Sequence, residues 1–378
     1  MVNGLFQKSS WSAPTVFLTG ATGFLGGAFL SDLLQSSFDG EVVCLVRADD
    51  DDTAEERVRR SVGRFGAPER LPKNVKVLRG DLLSQDWHDS PYLDGVTHVL
   101  HLAASTSFGN SRAIRTTNVG GALSVAKAMR GRRLERFLYT GTAAICGASP
   151  APVVHEDDYP DERATHLVAY TRSKAEAERQ LIEHFSDLPL VIARPSIVVG
   201  HTEFGCRPSG SIFWVLRAVE ALRFITWDPE NRIDGVPVDW AASALRHLLF
   251  APRLKHQRYH VSAGKGGSVR WKDLAAEYAA LYGGASQDRY EVGEMRQLTA
   301  KRIKQAVGDG HPRHLLHALE LYYRFCSRDL VFDNCRLLKE GIPAPPRFTD
   351  YMRVCEEFSA GSIYEQMRSD LELSLTLA

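Results

Sequence analysis

Two patterns of apolar residues alternate through the first two-thirds of the chain. Short, nearly continuous apolar runs at Thr15–Thr19, Glu41–Val46, Val75–Arg79, His98–Leu102, Phe137–Thr140 and Leu190–Ala193 predict β-strands. The first five begin roughly twenty to forty residues apart, enough for the crossover helix that parallel strands need. Unbroken apolarity is what a sheet covered on both faces requires. Between these runs, amphipathic stretches at Gly27–Gln35, Ala54–Phe65, Thr116–Arg130 and Tyr170–Phe185 predict helices. Such alternation predicts an α/β protein, a Rossmann-type doubly wound parallel sheet built from βαβ crossovers.

Beyond Arg194-Pro195 the pattern loosens. His201–Gly210 is rich in Gly, Pro and polar residues and reads as a loop; Ser211–Phe224 and Trp240–Phe250 read as helices, and Arg258–Ser262 as a further strand. From Ser268 onward the chain is mostly helical, broken by Pro343–Pro346 before a last helical region at Tyr351–Leu371. The expected division is a dinucleotide-binding domain at 1–200 plus 227–265, and a smaller, mostly helical C-terminal substrate lobe at 201–226 plus 266–378.

Composition narrows the function classes. The 378 residues are 44% hydrophobic and 24% charged, ordinary globular values. Lys plus Arg and Asp plus Glu balance at 46 each, so bulk charge favours neither nucleic acid nor an anionic membrane. Cysteines 44, 146, 206, 326, 335 and 355 form no C-x-x-C pair and no zinc spacing, and read as reduced thiols of a cytoplasmic protein. Met1 to Ala13 lacks the basic-then-apolar layout of a signal peptide, and no apolar run approaches membrane-spanning length.

The first predicted strand runs into the first helix through Thr19-Gly20-Ala21-Thr22-Gly23-Phe24-Leu25-Gly26. Glycines there permit a tight turn and let backbone N–H groups approach a pyrophosphate at the helix N-terminus. Gly20, Thr22, Gly23, Phe24, Leu25 and Gly26 are therefore candidate cofactor contacts. The second strand ends at Arg47, where a fold preferring NAD usually carries Asp or Glu for the ribose 2′-hydroxyl. A guanidinium there can pair with a 2′-phosphate, Arg57 supplies a second clamp, and the expected cofactor is NADPH. Asp49–Asp52 reads as the first turn of the next helix, where carboxylates suit the dipole. Asp81 and Leu82 follow the third strand, and Asp81 is either a contact to the adenine edge or a turn aspartate. The fourth strand ends in Ala103, Ala104 and Ser105, small enough to leave room for ribose, with His101 read as a packed core histidine.

Tyr170 and Lys174 are four residues apart on one helix face, and an ammonium beside a phenol is expected to lower the phenol pKa towards a working range. Thr142 ends the fifth strand at the carboxyl edge, where such folds place ligands. It can donate to a substrate carbonyl oxygen while Tyr170 delivers a proton and Lys174 binds ribose hydroxyls. Asn118 either orders a helix or water next to Lys174, or holds a helix bend.

In this order, TGxxGxxG, a Thr and Tyr-x-x-x-Lys resemble the extended short-chain dehydrogenase/reductases over most of residues 15–265. The closest branch is that of thioester reductases and fatty-acyl-CoA reductases. The resemblance rests on Thr19–Gly26 as TGATGFLG, Cys44–Ala48 as CLVRA, His101–Phe108 as HLAASTSF, Asn118-Val119-Gly120-Gly121, Ala193–Gly200 as ARPSIVVG and Gly235–Asp239 as GVPVD. It implies NADPH-dependent reduction of an acyl thioester, on CoA or a carrier-protein arm, to an aldehyde and sometimes an alcohol. It also implies Thr142, Tyr170 and Lys174 as the catalytic set, with Pro195 near the nicotinamide. A ketone or aldehyde reductase, a sugar-nucleotide epimerase or dehydratase, and an NADPH-binding sensor without turnover are the alternatives. Monomer and homodimer are both open.

Three further features have bland readings. His311, His314 and His317 sit three apart on a predicted helix, but steps of three rotate around it and no carboxylate lies among them, so no metal site is expected. Thr299–Arg328 carries six Lys/Arg against two Asp/Glu. It reads as a solvated face or as a dock for an acidic carrier protein or its phosphate. Leu321–Phe325 and Phe213-Trp214 read as core or as the lining of an acyl tunnel.

Overall fold

The computed structural model describes residues 13–67, 70–106, 111–148, 151–160, 162–205, 212–308, 310–359 and 361–368. Phe108, Cys206, most of the glycine-rich part of the 201–210 segment, the end of the last predicted helix and nearly all of Met1 to Ala13 lie outside the described residues.

Seven strands form one parallel sheet: β1 (Thr15–Thr19), β2 (Glu41–Val46), β3 (Val75–Arg79), β4 (His98–His101), β5 (Arg136–Thr140), β6 (Leu190–Pro195) and β7 (Arg258–Val261). Their order across the sheet is 3-2-1-4-5-6-7, and every pairing is parallel. The order reverses between β1 and β4, which opens the crevice where doubly wound folds bind ligands. Side chains alternate faces along each strand. Val16 and Leu18 join one core with Phe29 and Leu33 of α1 (Phe24–Gln35), Val58 of α2 (Asp51–Gly63) and Leu245 of α7 (Val238–Phe250). Phe17 faces the opposite core, with Val99, Phe137 and Ile192, Val125 of α4 (Gly121–Met129) and Leu181 of α5 (Ala169–His184). This two-sided burial is the physical reason that the strands read as solid apolar runs.

A third core lies outside the sheet. It joins α6 (Phe213–Leu222), α9 (Trp271–Tyr282), α10 (Ala300–Val307), α11 (Pro312–Cys326) and α13 (Phe348–Glu357) through Phe213, Trp214, Trp271, Ile303, Leu319, Tyr323 and Met352. The shorter α3 (Ser111–Arg115), α8 (Gly264–Gly267) and α12 (Cys335–Lys339) link the larger elements.

Two helix expectations need correcting. The run Thr116–Arg130 is not one regular α-helix: Thr116–Gly120 is a π-helical turn and α4 begins at Gly121. Asn118 explains the widened turn, because its buried amide accepts from Ser105 N (2.7 Å) and donates to Ser105 O (3.0 Å) and Ser173 Oγ (2.8 Å). The last predicted helix stops at Glu357, before Gly361 at φ +82°, and helix resumes only after Ser362. Among the described residues, no helix is long and apolar enough to cross a membrane, and no group of three or more metal-ligating side chains converges.

Candidate active site

The glycine-rich turn is shaped by contact. Gly20 has φ +80°, and a Cβ there would lie 2.7 Å from Ala103 N; a Cβ on Gly26 would lie 2.0 Å from Gly20 O. The turn therefore presses against the end of β4 and folds back on itself, which only glycine allows. The N-cap of α1 is Gly23, no side chain caps it, and the first turn holds no acid. Its N–H groups and the positive end of its dipole suit an anion. Phe24 packs on Phe65 and Leu25 on the sheet core, which anchors the start of the helix.

A small cleft beside this turn brings together Gly20, Thr22, Arg47, Arg57, Asp81, Leu82 and Ala103. Arg57 donates to the Arg47 carbonyl and Asp81 lies 4.0 Å from the Arg47 guanidinium. Burial lowers the Arg57 pKa, and the nearby charge of Arg47 lowers it further. Two converging guanidinium groups of like charge make a receptor for a multiply charged anion. Asp81 also accepts from Leu83 N at 2.8 Å, which makes it a turn aspartate in this structure. Asp50 caps α2 through Thr53 N at 2.7 Å, with Asp51 and Asp52 in the first turn, so these carboxylates belong to the helix start. Ala104 and Ser105 are buried beyond the cleft, with Ser105 held by Asn118. The residues present fit the pyrophosphate and ribose ends of a dinucleotide.

At the carboxyl ends of β5 and β6 lies a cavity of about 780 Å³. Thr142 and Tyr170 both line it, with Thr106, Ser196 and Asp234 nearby and Ile197, Val198, Ile233, Leu321, Tyr322 and Phe325 forming an apolar wall. Thr142 caps a short 3-10 turn after β5: its Oγ1 accepts from Ala144 N at 3.3 Å and donates to Pro195 O at 3.4 Å. Pro195 thus meets Thr142 through its carbonyl. Tyr170 begins α5, and burial pushes its phenol up to about 12. Lys174, on the same helix face, does not reach the cavity: it is 3% exposed, and its Nζ donates to Thr140 O at 2.8 Å. Burial pulls its ammonium down to about 7 against the opposing pull of Glu178.

Burial thus disfavours the charged form of each group, the phenolate of Tyr170 and the ammonium of Lys174. The phenol keeps its proton through neutral pH. His101 stays neutral as well: it shares a 2.8 Å hydrogen bond with Thr19 Oγ1, and burial holds its pKa down to about 3.

Sequence reasoning missed several wall residues. Ser196, Ile197 and Val198 lay in plain view within ARPSIVVG, and Asp234 directly precedes GVPVD, but nothing in their spacing points to a cavity. His311, His314 and His317 also line it, at its exposed end, rather than rotating away from one another. Of the two aromatic clusters, Leu321, Tyr322 and Phe325 face the cavity, whereas Tyr323, Phe213 and Trp214 are core.

Residues 18–245 match the model of an NAD-binding family described as male sterility protein. The chain belongs to this family. The nonribosomal peptide synthetase asaC of Aspergillus flavus is 30% identical over 290 residues, 68% of this chain and 27% of that protein. The non-canonical nonribosomal peptide synthetase FrzA of Cladobotryum sp. is 26% identical over 265 residues, 65% of this chain and 26% of that one. The chain thus spans about a quarter of the length of these curated relatives. In fold it is similar to the terminal R domain from the myxalamid PKS-NRPS pathway, with a TM-score of 0.76 and 22% identity, covering 93% of this chain and 91% of that one. The resemblance drawn from the motifs holds at this level: the chain belongs to an NAD-binding family and shares the fold of that terminal R domain.

Proposed function

We propose that this protein uses NADPH to reduce an acyl thioester, carried on CoA or on a carrier-protein arm, to an aldehyde. One observation carries the reading: Thr142 and Tyr170 share the wall of a large, mainly apolar cavity at the carboxyl edge of the sheet, beside the dinucleotide crevice. Kinship with peptide synthetases supports a substrate delivered as a thioester. The paired Arg47 and Arg57 guanidinium groups support a 2′-phosphate, and hence NADPH over NADH.

The bound dinucleotide supplies hydride. Gly20, Thr22, Gly23 and the first turn of α1 would hold its pyrophosphate, Asp81, Leu82 and Ala103 would border its adenosine half, and Ala104, Ser105 and Pro195 would lie towards its nicotinamide end. Tyr170 holds its proton until the carbonyl oxygen gains charge, and Thr142 Oγ1 turns from the Pro195 carbonyl to donate to the same oxygen. Lys174 sits behind them as a buried cation, with Asn118 fixing the adjacent Ser173. Release of the thiol then leaves the aldehyde. In this reading, 201–226 and 266–378 form the substrate lobe against the dinucleotide domain of 1–200 and 227–265.

The deciding experiment incubates the protein with NADPH and a panel of acyl-CoA, acyl-carrier, aldehyde and ketone substrates, with products identified by mass. Thioesters should yield aldehyde and free thiol, and Tyr170→Phe should lower kcat by about 10²–10⁴-fold. Turnover confined to ketones, or a Tyr170→Phe variant as fast as wild type, would sink the reading.

A further inference from the structure

Beneath the residues assigned above lies a second buried charge cluster that the proposed reaction does not use. Glu178 is four residues beyond Lys174 on α5, so Tyr170, Lys174 and Glu178 follow one another along one helix face. The side chains of Glu178 and Arg194 are both fully buried. Arg194 Nε donates to Glu178 Oε2 at 3.1 Å and its Nη2 donates to Oε1, a two-pronged pairing. The remaining Nη1 donates to the Glu156 carbonyl at 2.9 Å, and Arg258 Nε stands 3.9 Å from Glu178. Arg194 directly precedes Pro195, whose carbonyl accepts from Thr142. One ion pair thus ties the helix of Tyr170 and Lys174 to the strand that holds Thr142.

Stability is a poor explanation for such a pair. Taking two charges out of water is costly, and well-packed apolar residues in their place are often neutral or stabilising. We propose that the Glu178–Arg194 pair is a positioning device for Lys174, clamping α5 to β6 and supplying the negative neighbour that compensates a buried ammonium. The proposal rests on the reading of Lys174 as part of the active site.

The groups facing Lys174 make Glu178 the one that matters. The Tyr139 ring of β5 lies 5.2 Å from Nζ, and Thr140 offers only a carbonyl. His101 of β4 is neutral, and Tyr170 keeps its proton. Arg194, from β6, is turned into its pairing with Glu178, while Arg258 of β7 and the Tyr159 ring, 5.5 Å from the Arg194 guanidinium, flank that pair. Glu178 is the neighbour that opposes the loss of the Lys174 proton to burial. Arg194 in turn orients the Glu178 carboxylate through its two hydrogen bonds.

The test follows the titration of Lys174 itself by NMR in the apoprotein, with carbon-13 at lysine Cε and Lys174→Arg to identify the resonance. The double variant Glu178→Leu/Arg194→Met removes both charges of the pair together; its Lys174 midpoint should fall by about one pH unit. The ratio of kcat/KM at pH 6 to that at pH 8 should rise about fivefold, because the alkaline limb moves down. Glu178→Asp, which keeps the carboxylate, should stay close to the wild-type midpoint. Should the double variant not fold, Glu178→Gln is read by the same titration. An unchanged midpoint in a folded variant without the Glu178 carboxylate overturns the proposal. A midpoint that falls while Lys174→Ala still reduces thioesters at the wild-type rate upholds the action of the pair on Lys174. It is then the placing of Lys174 in the active site that fails.

Discussion

In the proposed function, Arg47 is the side chain that selects between the two nicotinamide cofactors. It stands at the end of β2, half-exposed, with Arg57 donating to its carbonyl and Asp81 facing its guanidinium. In the proposed function a 2′-phosphate bridges the two guanidinium groups, while the ribose 2′-hydroxyl of NADH offers them no charge. Hydrogen bonds to charged groups contribute about 1.5–3 kcal/mol, roughly a ten- to hundredfold effect on binding. Arg47→Ala should therefore lower kcat/KM for NADPH by about that factor and change the NADH value by less than about threefold. Steady-state kinetics with both cofactors checks this, and equal losses with the two would discard the 2′-phosphate assignment. Asp81 tempers the same site, because part of the Arg47 charge is already engaged across 4.0 Å. Removing it with Asp81→Asn leaves more positive charge for the phosphate.

At the scale of elements, the π-helical turn before α4 matters most. Asn118 stitches it to the end of β4 through both backbone groups of Ser105, and to α5 through Ser173, whose hydroxyl donates in turn to the Tyr170 carbonyl at 2.7 Å. Asn118→Ala would strand buried donors and acceptors on Ser105, each costing about 1–3 kcal/mol. Unfolding in urea should show a loss of about 2–4 kcal/mol; a loss under about 0.5 kcal/mol would mean that the turn is held by other contacts. This junction also marks how far the sequence was legible. The first three strands carry the boundaries expected of them, because burial on both faces leaves an unbroken apolar signal. The π-helical turn carries no such signal: its residues keep a helical pattern, and the widening comes from an amide partner 13 residues away in sequence. The two-residue pairings were equally silent. Val331–Phe332 against Val153–Val154 and Glu291–Val292 against Phe224–Ile225 are too short for a period of two to register. Likewise, the spacing of Tyr170 and Lys174 gives their shared face but not that Tyr170 lines the cavity while Lys174 is buried behind it.

At the scale of the whole molecule, function depends on how the helical core outside the sheet meets its carboxyl edge. The end of α11 is fastened there: Arg328 donates to the Gly147 carbonyl at 2.8 Å, just past the turn capped by Thr142. Val331–Phe332 then pairs with Val153–Val154. From that anchor α11 runs back along the cavity, so Phe325, Tyr322, Leu321 and Ala318 form successive steps of its wall and the exposed His317, His314 and His311 its far end. At 1.5 Å per residue, His314 lies about 18 Å along the helix axis from Cys326. In the proposed function, a cavity of about 780 Å³ flanked by this stretch of α11 has room for a long or bulky acyl group, and one face of the helix forms part of its wall. Ala318, midway, offers a way to shorten it without touching Thr142, Tyr170 or the dinucleotide cleft. Ala318→Trp should raise KM for long-chain or aromatic acyl thioesters at least about tenfold while leaving acetyl thioester reduction within about threefold, as expected when a pocket loses volume beyond the reacting carbon. The comparison is kcat/KM across an acyl-length series, with circular dichroism to establish that the fold is intact. Equal losses at every length would show that the acyl group does not lie along α11, and would turn attention to the remaining walls around Ile212 and Met367.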